Sequence, residues 1–426
     1  MFEPKLPARV EDIHLDQLEF WITPAEEREG AFALLRRERP MSFHKEFEPP
    51  PEIPLPKGPG YWAVTRHADV VTASRRSDLF CSGKGVNIPD LPAELNEFFG
   101  SMIAMDDPRH ARLRGIVSRG FTPRALGNLQ GGVERRAAEL VEAVIEKGEC
   151  DFVRDIAAPL PLGIICDMMG IPESQTQFVF EQTNIILGLG DPEYVAVGTN
   201  PLIAALNSGR ALAQLMNELA TERRRRPKDD LTSQLLNAEI DGETLTDQEI
   251  ASFFVLLVAA GNETTRNAIS HGMKALSDHP DQRKKWAADF EAIAPTAVEE
   301  IVRWASPVIH FRRTATQDTV LGGQKLRAGE KIVLWYNSAN RDETAFPEPY
   351  RFDVTREPNE HVGFGGPGAH HCLGANLARR EITVVFRELL RRLPDLQITG
   401  APEMLRSNFI HGIKRMPCAF TPGGAR

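Results

Sequence analysis

One cysteine, Cys372, stands between a glycine-rich turn and the start of a predicted helix. Four glycines lie within residues 362–368 before it, and apolar residues recur at helical spacing after it until Pro394. A sulfur at a helix N-terminus lies beside unpaired backbone N–H groups and the positive end of the helix dipole, and both favour the thiolate. Glycines also let the backbone close around the sulfur. The pattern therefore predicts a thiolate that ligates a metal centre.

Two other interpretations of this cysteine remain open at this point. A lone cysteine is most often a small buried hydrophobic residue. The adjacent His370 and His371 could instead indicate zinc, but zinc needs three or four ligands at defined spacing, and no second cysteine lies nearby. The glycine-rich turn favours the metal-ligating thiolate over both.

A long helix is predicted from the capping box Thr246–Glu249 to about Ser277. Its centre is apolar on every side, which is typical of a buried core helix. Gly261 interrupts this centre and is expected to let the backbone open, as at helix bulges near functional sites. Thr264 would then offer its hydroxyl to a small ligand; alternatively, it bonds a carbonyl of its own helix.

Composition narrows the functional classes. The chain has 426 residues and a net charge of −9, which argues against a nucleic-acid partner. No linker or repeat is visible, so residues 1–426 are predicted to form a single domain. Five cysteines without paired spacing predict a reducing, cytoplasmic location. The first residues show no signal-like apolar region, and the longest apolar run, 250–261, is too short to span a bilayer, so no membrane anchor is expected.

The coarse architecture is predicted to be mainly α with small peripheral β-sheets. Helical patterns dominate from Arg109 onward, including 133–145, 212–226 and the segment after Cys372. Strand patterns occur at 61–65, 319–321 and 331–336, and the last two are predicted to pair across a glycine-bearing turn.

The segment around Cys372 resembles the haem-binding loop of the cytochrome P-450 family, the haem-thiolate monooxygenases. Gly368, His370 and Gly374 fall at the family's positions, whereas Phe364 lies eight residues before the cysteine and not seven. The resemblance implies a haem b cofactor with Cys372 as its axial ligand, and it implies the family's triangular-prism fold.

Further motifs follow in the family's order, and the resemblance implies a role for each. Ala260 and Gly261 open the oxygen-activation motif, in which Thr264 delivers a proton to bound oxygen and Glu263 relays protons from solvent. A structural ion-pair triad and the cations that hold the haem propionates are implied at the following positions: Glu300, Arg303 and Arg351 for the triad; His110, Arg114, Arg313 and His370 for the propionates.

The implied reaction inserts one oxygen atom from O2 into a C–H bond, with electrons from an external ferredoxin and ferredoxin reductase. Segments 99–103, 164–172 and 409–414 resemble the mycobacterial branch that oxidises methyl-branched lipids, isoprenoids and sterol side chains, so terminal (omega) hydroxylation in a monomer is expected. A peroxide-driven hydroxylase and a non-catalytic haem or lipid-binding protein remain the alternatives.

The substrate is expected to be apolar and elongated, because cationic side chains are sparse in the segments that wall the pocket in this family. Candidate pocket residues come from three such segments: Ile88, Leu91, Leu95, Phe99, Ile103, Leu187, Leu189, Val308 and Phe311. Arginines near the ligand loop are candidates for a cationic docking patch for ferredoxin: Arg109, Arg112, Arg379 and Arg380.

Overall fold

A computed structural model describes residues 3–47, 57–240 and 242–423. Within these residues the chain forms α-helices that we number in order: α1 Ala25–Glu38, α2 His67–Arg75, α3 Ala93–Gly100, α4 Arg109–Val117, α5 Pro123–Ile145, α6 Pro159–Met169, α7 Thr176–Leu187, α8 Pro201–Arg225, α9 Leu231–Leu236, α10 Asp247–Asp278, α11 Pro280–Ala288, α12 Phe290–Ala305, α13 Tyr336–Ala339 and α14 Ala375–Arg392. The predicted mainly helical class is confirmed.

The β-strands of the described residues are short and lie in small sheets. They are β1 Met41–His44, β2 Tyr61–Val64, β3 Phe80–Cys81, β4 Glu149–Asp151, β5 Glu239–Ile240, β6 Glu243–Thr244, β7 His310–Ala315, β8 Thr319–Leu321, β9 Gln324–Leu326, β10 Lys331–Trp335, β11 Gln397–Ile398, β12 Glu403–Met404, β13 Ile413–Arg415 and β14 Pro417–Ala419. The largest sheet has the order β1-β2-β10-β7-β3, and a second has the order β11-β14-β4.

One predicted strand pairing is wrong. Segment 319–321 (β8) pairs with β9 in a separate hairpin, whose turn uses Gly322 and Gly323 at φ 54° and 79°. Segment 331–335 (β10) instead lies inside the large sheet, antiparallel to β7 and parallel to β2. The two adjacent glycines allow a tight turn directly after β8. The chain therefore reverses there and pairs β8 with β9 before it reaches residues 331–335.

The central helix α10 follows its sequence signals closely. Thr246 and Glu249 form the predicted capping box, and the apolar centre is buried against α6, α8 and α12. The helix remains α-helical through Gly261, so the expected opening of its backbone is wrong. A Cβ at Gly261 would lie 2.5 Å from Ile165 Cδ1, so the glycine permits α6 to pack closely.

The main hydrophobic core surrounds α10 and includes the inner faces of α5, α6, α12 and α14. Smaller clusters join α1 to the large sheet and α2 to its other face. α5 begins at Pro123, ten residues before the predicted start, because Thr122 caps it. None of the helices in the described parts of the chain has the length and apolar character that crossing a bilayer requires.

Candidate active site

A deep cavity lies between α10 on one side and the glycine-rich turn with the start of α14 on the other. The space between its walls, opening included, is about 1410 Å³. Apolar side chains supply most of the wall: Val86, Met102, Ile103, Phe121, Ile165, Phe253, Leu256, Leu257, Val302, Val308, Phe311 and Leu377. A mostly apolar wall with a few polar groups is typical of a site for a cofactor or an apolar ligand.

Cys372 opens on this cavity, and the turn before it is shaped by glycine. Its N–H donates to Phe364 O at 2.9 Å, and Gly365 has a φ of 79°, which a side chain would disfavour. A Cβ at Gly368 would lie 2.1 Å from Ser74 O, so only glycine permits this approach to α2. Of the five cysteines, Cys372 is the one in the cavity wall.

Opposing effects act on the pKa of the Cys372 thiol. Burial by the surrounding protein raises the pKa, and the N–H groups of Gly374 and Ala375 and the charges of Arg114 and Arg379 lower it, while the residue is exposed toward the cavity. A metal cation at the sulfur would deprotonate it.

Phe364 keeps its position beside the sulfur despite the extra residue. Its carbonyl accepts the Cys372 N–H, its ring lies in the cavity wall, and the guanidinium of Arg379 stands 4.5 Å from the ring centroid. The additional residue is taken up in the turn between Phe364 and Cys372.

Two buried histidines present unsatisfied nitrogens beside the cavity. His110 Nε2 and His370 Nδ1 are buried without a hydrogen-bond partner, and the two rings lie 4.3 Å apart. His110 Nδ1 contacts Asp107 Oδ1 at 3.1 Å. Unsatisfied buried nitrogens are costly, so this place fits a ligand with acceptor oxygens.

Arg114 and Arg313 stand in the same cavity wall as His370. Their hydrogen bonds go to backbone carbonyls of His371 and Arg312, at 2.6 and 2.8 Å. Neither guanidinium pairs with a carboxylate among the described residues. The four residues predicted to hold the propionates therefore lie together. Arg114 and Arg313 fit the two propionates of haem b as cations. Burial and the charge of Arg313 lower the pKa of His370 to about 2, so its ring would take part as a neutral group.

Helix α10 places the Thr264 hydroxyl in the cavity wall but keeps the Glu263 carboxyl away from the cavity. Thr264 lines the cavity with Ala260 and Gly261, and its Oγ1 donates to Ala260 O at 2.6 Å. Glu263 is buried on another face of the helix, where it pairs with Arg266, which also bonds Asn184 of α7. Burial raises the pKa of Glu263. The expected relay from solvent through Glu263 has no contact with the cavity in this arrangement.

Sequence reasoning missed a carboxyl that does line the cavity. Glu381 of α14 is 2 % exposed and borders the same space as Thr264. Burial raises the pKa of Glu381 to about 8, so the group is mainly protonated at neutral pH. One sequence signal could have revealed Glu381. It lies four residues after Leu377, on the apolar face of α14, where an acid is unusual.

The structure places three of the nine predicted pocket residues in the cavity wall. Ile103, Val308 and Phe311 line the cavity. The other candidates do not, and they are Ile88, Leu91, Leu95, Phe99, Leu187 and Leu189.

Physical reasons for the misses are visible for three of these candidates. Ile88 packs in the cluster around α1 and the large sheet. Phe99 packs against α8, where a Cβ at Gly209 would approach its ring to 2.9 Å. Leu189 is exposed beyond the end of α7.

The ion-pair triad forms with a different third member. Glu300 and Arg303 are fully buried and joined by two bonds of 2.7 and 2.8 Å. Arg356 Nε donates to Glu300 Oε2 at 3.1 Å. The predicted Arg351 is wrong, because its half-exposed side chain pairs with Glu348 and only its carbonyl takes part, accepting from Arg356 at 2.7 Å.

Glu299, the neighbour of Glu300, fastens the ligand loop from both sides. It bonds His361 at 2.9 Å before the loop and Arg379 of α14 after it. Burial opposes ionisation, but these two partners outweigh it and lower the pKa of Glu299 to about 2. The carboxylate therefore joins α12, the loop and α14.

The candidate docking arginines are largely neutralised within the chain. Arg109 pairs with Glu97, Arg112 with Glu249 and Arg379 with Glu299. Arg380 bonds the carbonyl of Leu126. A strongly cationic patch on this face is therefore not supported.

Comparisons with known proteins agree with this site. The family model described as cytochrome P-450 matches residues 205–396. A methyl-branched lipid omega-hydroxylase of Mycobacterium tuberculosis is 52% identical over 421 residues, 98% of this chain and 96% of that protein. A steroid C26-monooxygenase of Mycolicibacterium smegmatis is 42% identical over 370 residues, 86% of this chain and 84% of that protein.

A solved structure extends the likeness to three dimensions. A Mycobacterium marinum cytochrome P-450 in complex with pseudoionone superposes with a TM-score of 0.92 and 47% identity, covering 98% of this chain and 99% of that one. The predicted fold is confirmed by this likeness.

Replacing Arg356 is expected to damage the fold where replacing Arg351 does not. Arg356→Ala removes a buried partner of Glu300 and should cost about 3 kcal/mol of unfolding free energy and lower haem content. Arg351→Ala, the matched control, removes an exposed ion pair and should cost less than about 1 kcal/mol. Urea unfolding and the haem-to-protein ratio measure both. Equal losses in the two variants would contradict the assignment of Arg356.

Glu299 should stabilise the fold only above its folded pKa. Because that pKa is lowered to about 2, its contribution is fully present above about pH 4.3, the ordinary value for glutamate, and fades as the pH falls toward 2. Glu299→Gln should therefore lower Tm at pH 7, and the gap to the parent protein should close in acid. Glu291→Gln, in an exposed pair with Arg387, is the control and should change Tm little. A gap that stays constant down to pH 2.5 would refute the linkage.

Proposed function

Because this chain belongs to the cytochrome P-450 family, we propose that it hydroxylates an apolar lipid, with a methyl-branched chain as the preferred class, at or near the chain terminus. The proposal of this substrate class draws on the relatives that carry out omega-hydroxylation of methyl-branched lipid and C26 oxidation of steroids. The proposal depends on one observation: a thiol and a helix hydroxyl border one large cavity whose remaining walls are mostly apolar.

Members of the family bind haem b through a cysteine thiolate, and Cys372 is the cysteine in the cavity wall. The Gly374 N–H would stabilise its charge. His110, Arg114, Arg313 and His370 would hold the propionates, since His110 Nε2 and His370 Nδ1 are buried without a partner and the two guanidinium groups bond only backbone carbonyls among the described residues. When bound there, haem b supplies the activation of O2 and the oxidation of the C–H bond.

The chain's own residues handle protons and exclude water. The Thr264 hydroxyl donates its hydrogen to Ala260 O, so the oxygen lone pairs remain free to accept a proton from the cavity side. Glu381 keeps a proton on its carboxyl at neutral pH and borders the same space. Unlike the sealed Glu263, Glu381 lines the cavity, and it is the carboxyl that we propose as the proton source. The apolar wall limits stray water.

The enzyme needs O2 and a redox partner, and we propose a ferredoxin with its reductase. A cytoplasmic monomer is the corresponding proposal for the protein itself, supported by five cysteines that all carry free thiols. Because the arginines of the candidate docking patch are paired within the chain, recognition of the donor would rely on more than a cluster of free cations.

The substrate class is tested by titration of the ferric haem protein. Methyl-branched fatty acids, unbranched fatty acids, isoprenoids and sterols are added separately. Binding is followed as a change in the spin state of the ferric haem iron. The branched chains should bind most tightly and yield terminal alcohols with ferredoxin, reductase and O2. Product only with hydrogen peroxide would favour the peroxide-driven alternative, and binding without any product would favour a carrier.

Phe311→Ala should weaken binding of the same substrate. Phe311 lies in the cavity wall, and loss of about 1–2 kcal/mol of apolar contact corresponds to roughly a 5- to 30-fold higher Kd. Leu189→Ala is the matched control, because Leu189 is exposed and outside the cavity; its Kd should change less than about twofold. The spin-shift titration measures both, and equal effects would show that the cavity is not the binding site.

Thr264→Ala should separate electron consumption from product. The variant keeps the apolar wall, so haem content and substrate affinity should persist, while product per NADPH falls about 10-fold or more and peroxide appears. Thr264→Ser retains the hydroxyl and should restore most of the yield. An unchanged ratio of product to NADPH in the alanine variant would remove Thr264 from proton delivery.

Glu381→Gln should slow the same step without loosening the fold. Glutamine keeps the size of the side chain but cannot release a proton, so kcat should fall and its dependence on pH near 8 should disappear, with substrate Kd unchanged. A pH profile of product formation from 6 to 9 provides the measurement. A profile identical to that of the parent protein would exclude Glu381 as the donor.

A further inference from the structure

We propose that Cys150 and Cys418 form an oxidisable dithiol, a reversible disulfide site separate from the haem cavity. Their sulfurs lie 3.4 Å apart although 268 residues separate them in the sequence. Neither residue lines the cavity. Among the described residues, no other two of the five cysteines are hydrogen-bonded to each other.

The backbone already has the geometry that a disulfide needs. Cys150 on β4 stands directly opposite Cys418 on the antiparallel strand β14. On either side, Phe420 N bonds Gly148 O at 2.8 Å and Phe152 N bonds Met416 O at 2.9 Å. Hydrogen-bonded positions of an antiparallel ladder recur at every second residue, so the cysteine pair is also of the hydrogen-bonded kind.

Such a pair has Cα atoms about 5.5 Å apart. Disulfides span Cα separations of roughly 4.4–6.8 Å, so the pair lies within that range. Bond formation brings the two sulfurs from 3.4 Å to the roughly 2.05 Å of a disulfide.

Access and reactivity differ between the two thiols. Cys150 is partly exposed, whereas Cys418 is 1 % exposed. The hydrogen bond from Cys150 lowers the pKa of the Cys418 thiol, while burial and the carboxylates of Asp151 and Asp155 oppose this effect. The same contact, together with burial, raises the pKa of the Cys150 thiol. Cys150 therefore gives an oxidant its route to the pair, and Cys418 is the more acidic thiol.

The oxidation balances with hydrogen peroxide as the oxidant. A thiolate attacks one peroxide oxygen, the O–O bond breaks, and a sulfenic acid and water result after a proton is taken from solvent. The second sulfur then attacks the sulfenic sulfur, the S–S bond forms, and a second water leaves. Two sulfurs are oxidised by two electrons in total, and a dithiol reductant reverses the reaction.

The bond would connect distant parts of the chain. β4 leads through a short helical turn into α6, which packs against α10 at Gly261, and β14 is the last strand of the described chain. Closing so long a loop reduces the freedom of the unfolded chain. Oxidation should therefore raise Tm, and the site should respond to the peroxide that leaks from imperfect turnover.

Thiol counting on the haem-loaded protein tests the proposal. The parent protein is treated with low equivalents of hydrogen peroxide, or with diamide as a peroxide-free oxidant, then denatured and titrated for free thiols. We expect the count to fall from five to three, peptide mapping to show a 150–418 link, and dithiothreitol to restore both. Five remaining thiols, or a link through another cysteine, would overturn the proposal.

Single variants locate the effect. Cys150→Ser and Cys418→Ser each start with four thiols and should lose no pair to an intramolecular link. Cys166→Ser, which removes a lone buried thiol, is the matched control and should fall from four to two. Loss of two thiols in Cys150→Ser would contradict the assignment, and the peptide map of the parent protein decides the question even if a serine variant folds poorly.

Discussion

The candidate site depends on one constraint: the Cys372 thiol must be held in place at the wall of a cavity that would also receive an anionic cofactor. The turn before Cys372 is fixed by its own backbone bond to Phe364 and by the approach to α2 that Gly368 permits. Glu299 fastens both flanks of the loop. A second connection runs from Arg303 to Asn340 O at 2.8 Å, and the amide of Asn340 accepts the N–H of Val362. Glu299 and Arg303, four positions apart on α12, therefore support the ligand loop by two separate routes.

Four carboxyl groups, three of them buried and one half-buried, show how environment assigns roles to one chemical group. Glu300 is satisfied by Arg303 and Arg356 and acts as a structural anchor. The half-buried Glu299 is bonded by His361 and Arg379 and stays ionised well into acid. Glu263 has one cationic partner, in a sealed pair with Arg266. Glu381 has no hydrogen-bond or ion-pair partner among the described residues, and burial keeps it neutral. The partners beside each carboxyl, and not its position in the sequence, separate the anchors from a candidate proton donor.

Local signals predicted the parts of the structure that local physics determines. The capping box of α10 and the glycine turn at Cys372 depend on neighbouring residues, and both formed as expected. The third member of the triad depends on how the chain turns between residues 351 and 356, which no periodicity reveals. The sequence therefore points to Arg351, whereas Arg356 bonds Glu300 in the structure.

The cavity wall was harder to predict because an apolar residue is equally suited to a core or a pocket. Ile88 and Phe99 pack in cores, while Phe253 and Ile165, which would pass for ordinary core residues, face the cavity. Only the packing of whole helices decides between the two. The sequence does show that Glu381 is an acid on an apolar helix face. No local pattern, however, indicates that this face borders the cavity.

The distribution of charge in the cavity argues for the kind of molecule that can share it with the cofactor. The cations and unsatisfied nitrogens lie together around His370 and Arg114, where the propionates would neutralise them. The remaining wall is mostly apolar, and its acid, Glu381, is mainly uncharged at neutral pH. A charged group placed against that wall would lose its hydration without finding a partner, at a cost of several kcal/mol. An apolar chain meets no such penalty, so the apolar part of the wall favours the hydrocarbon end of a lipid over a charged head group. This preference supports the proposed oxidation at the end of the chain.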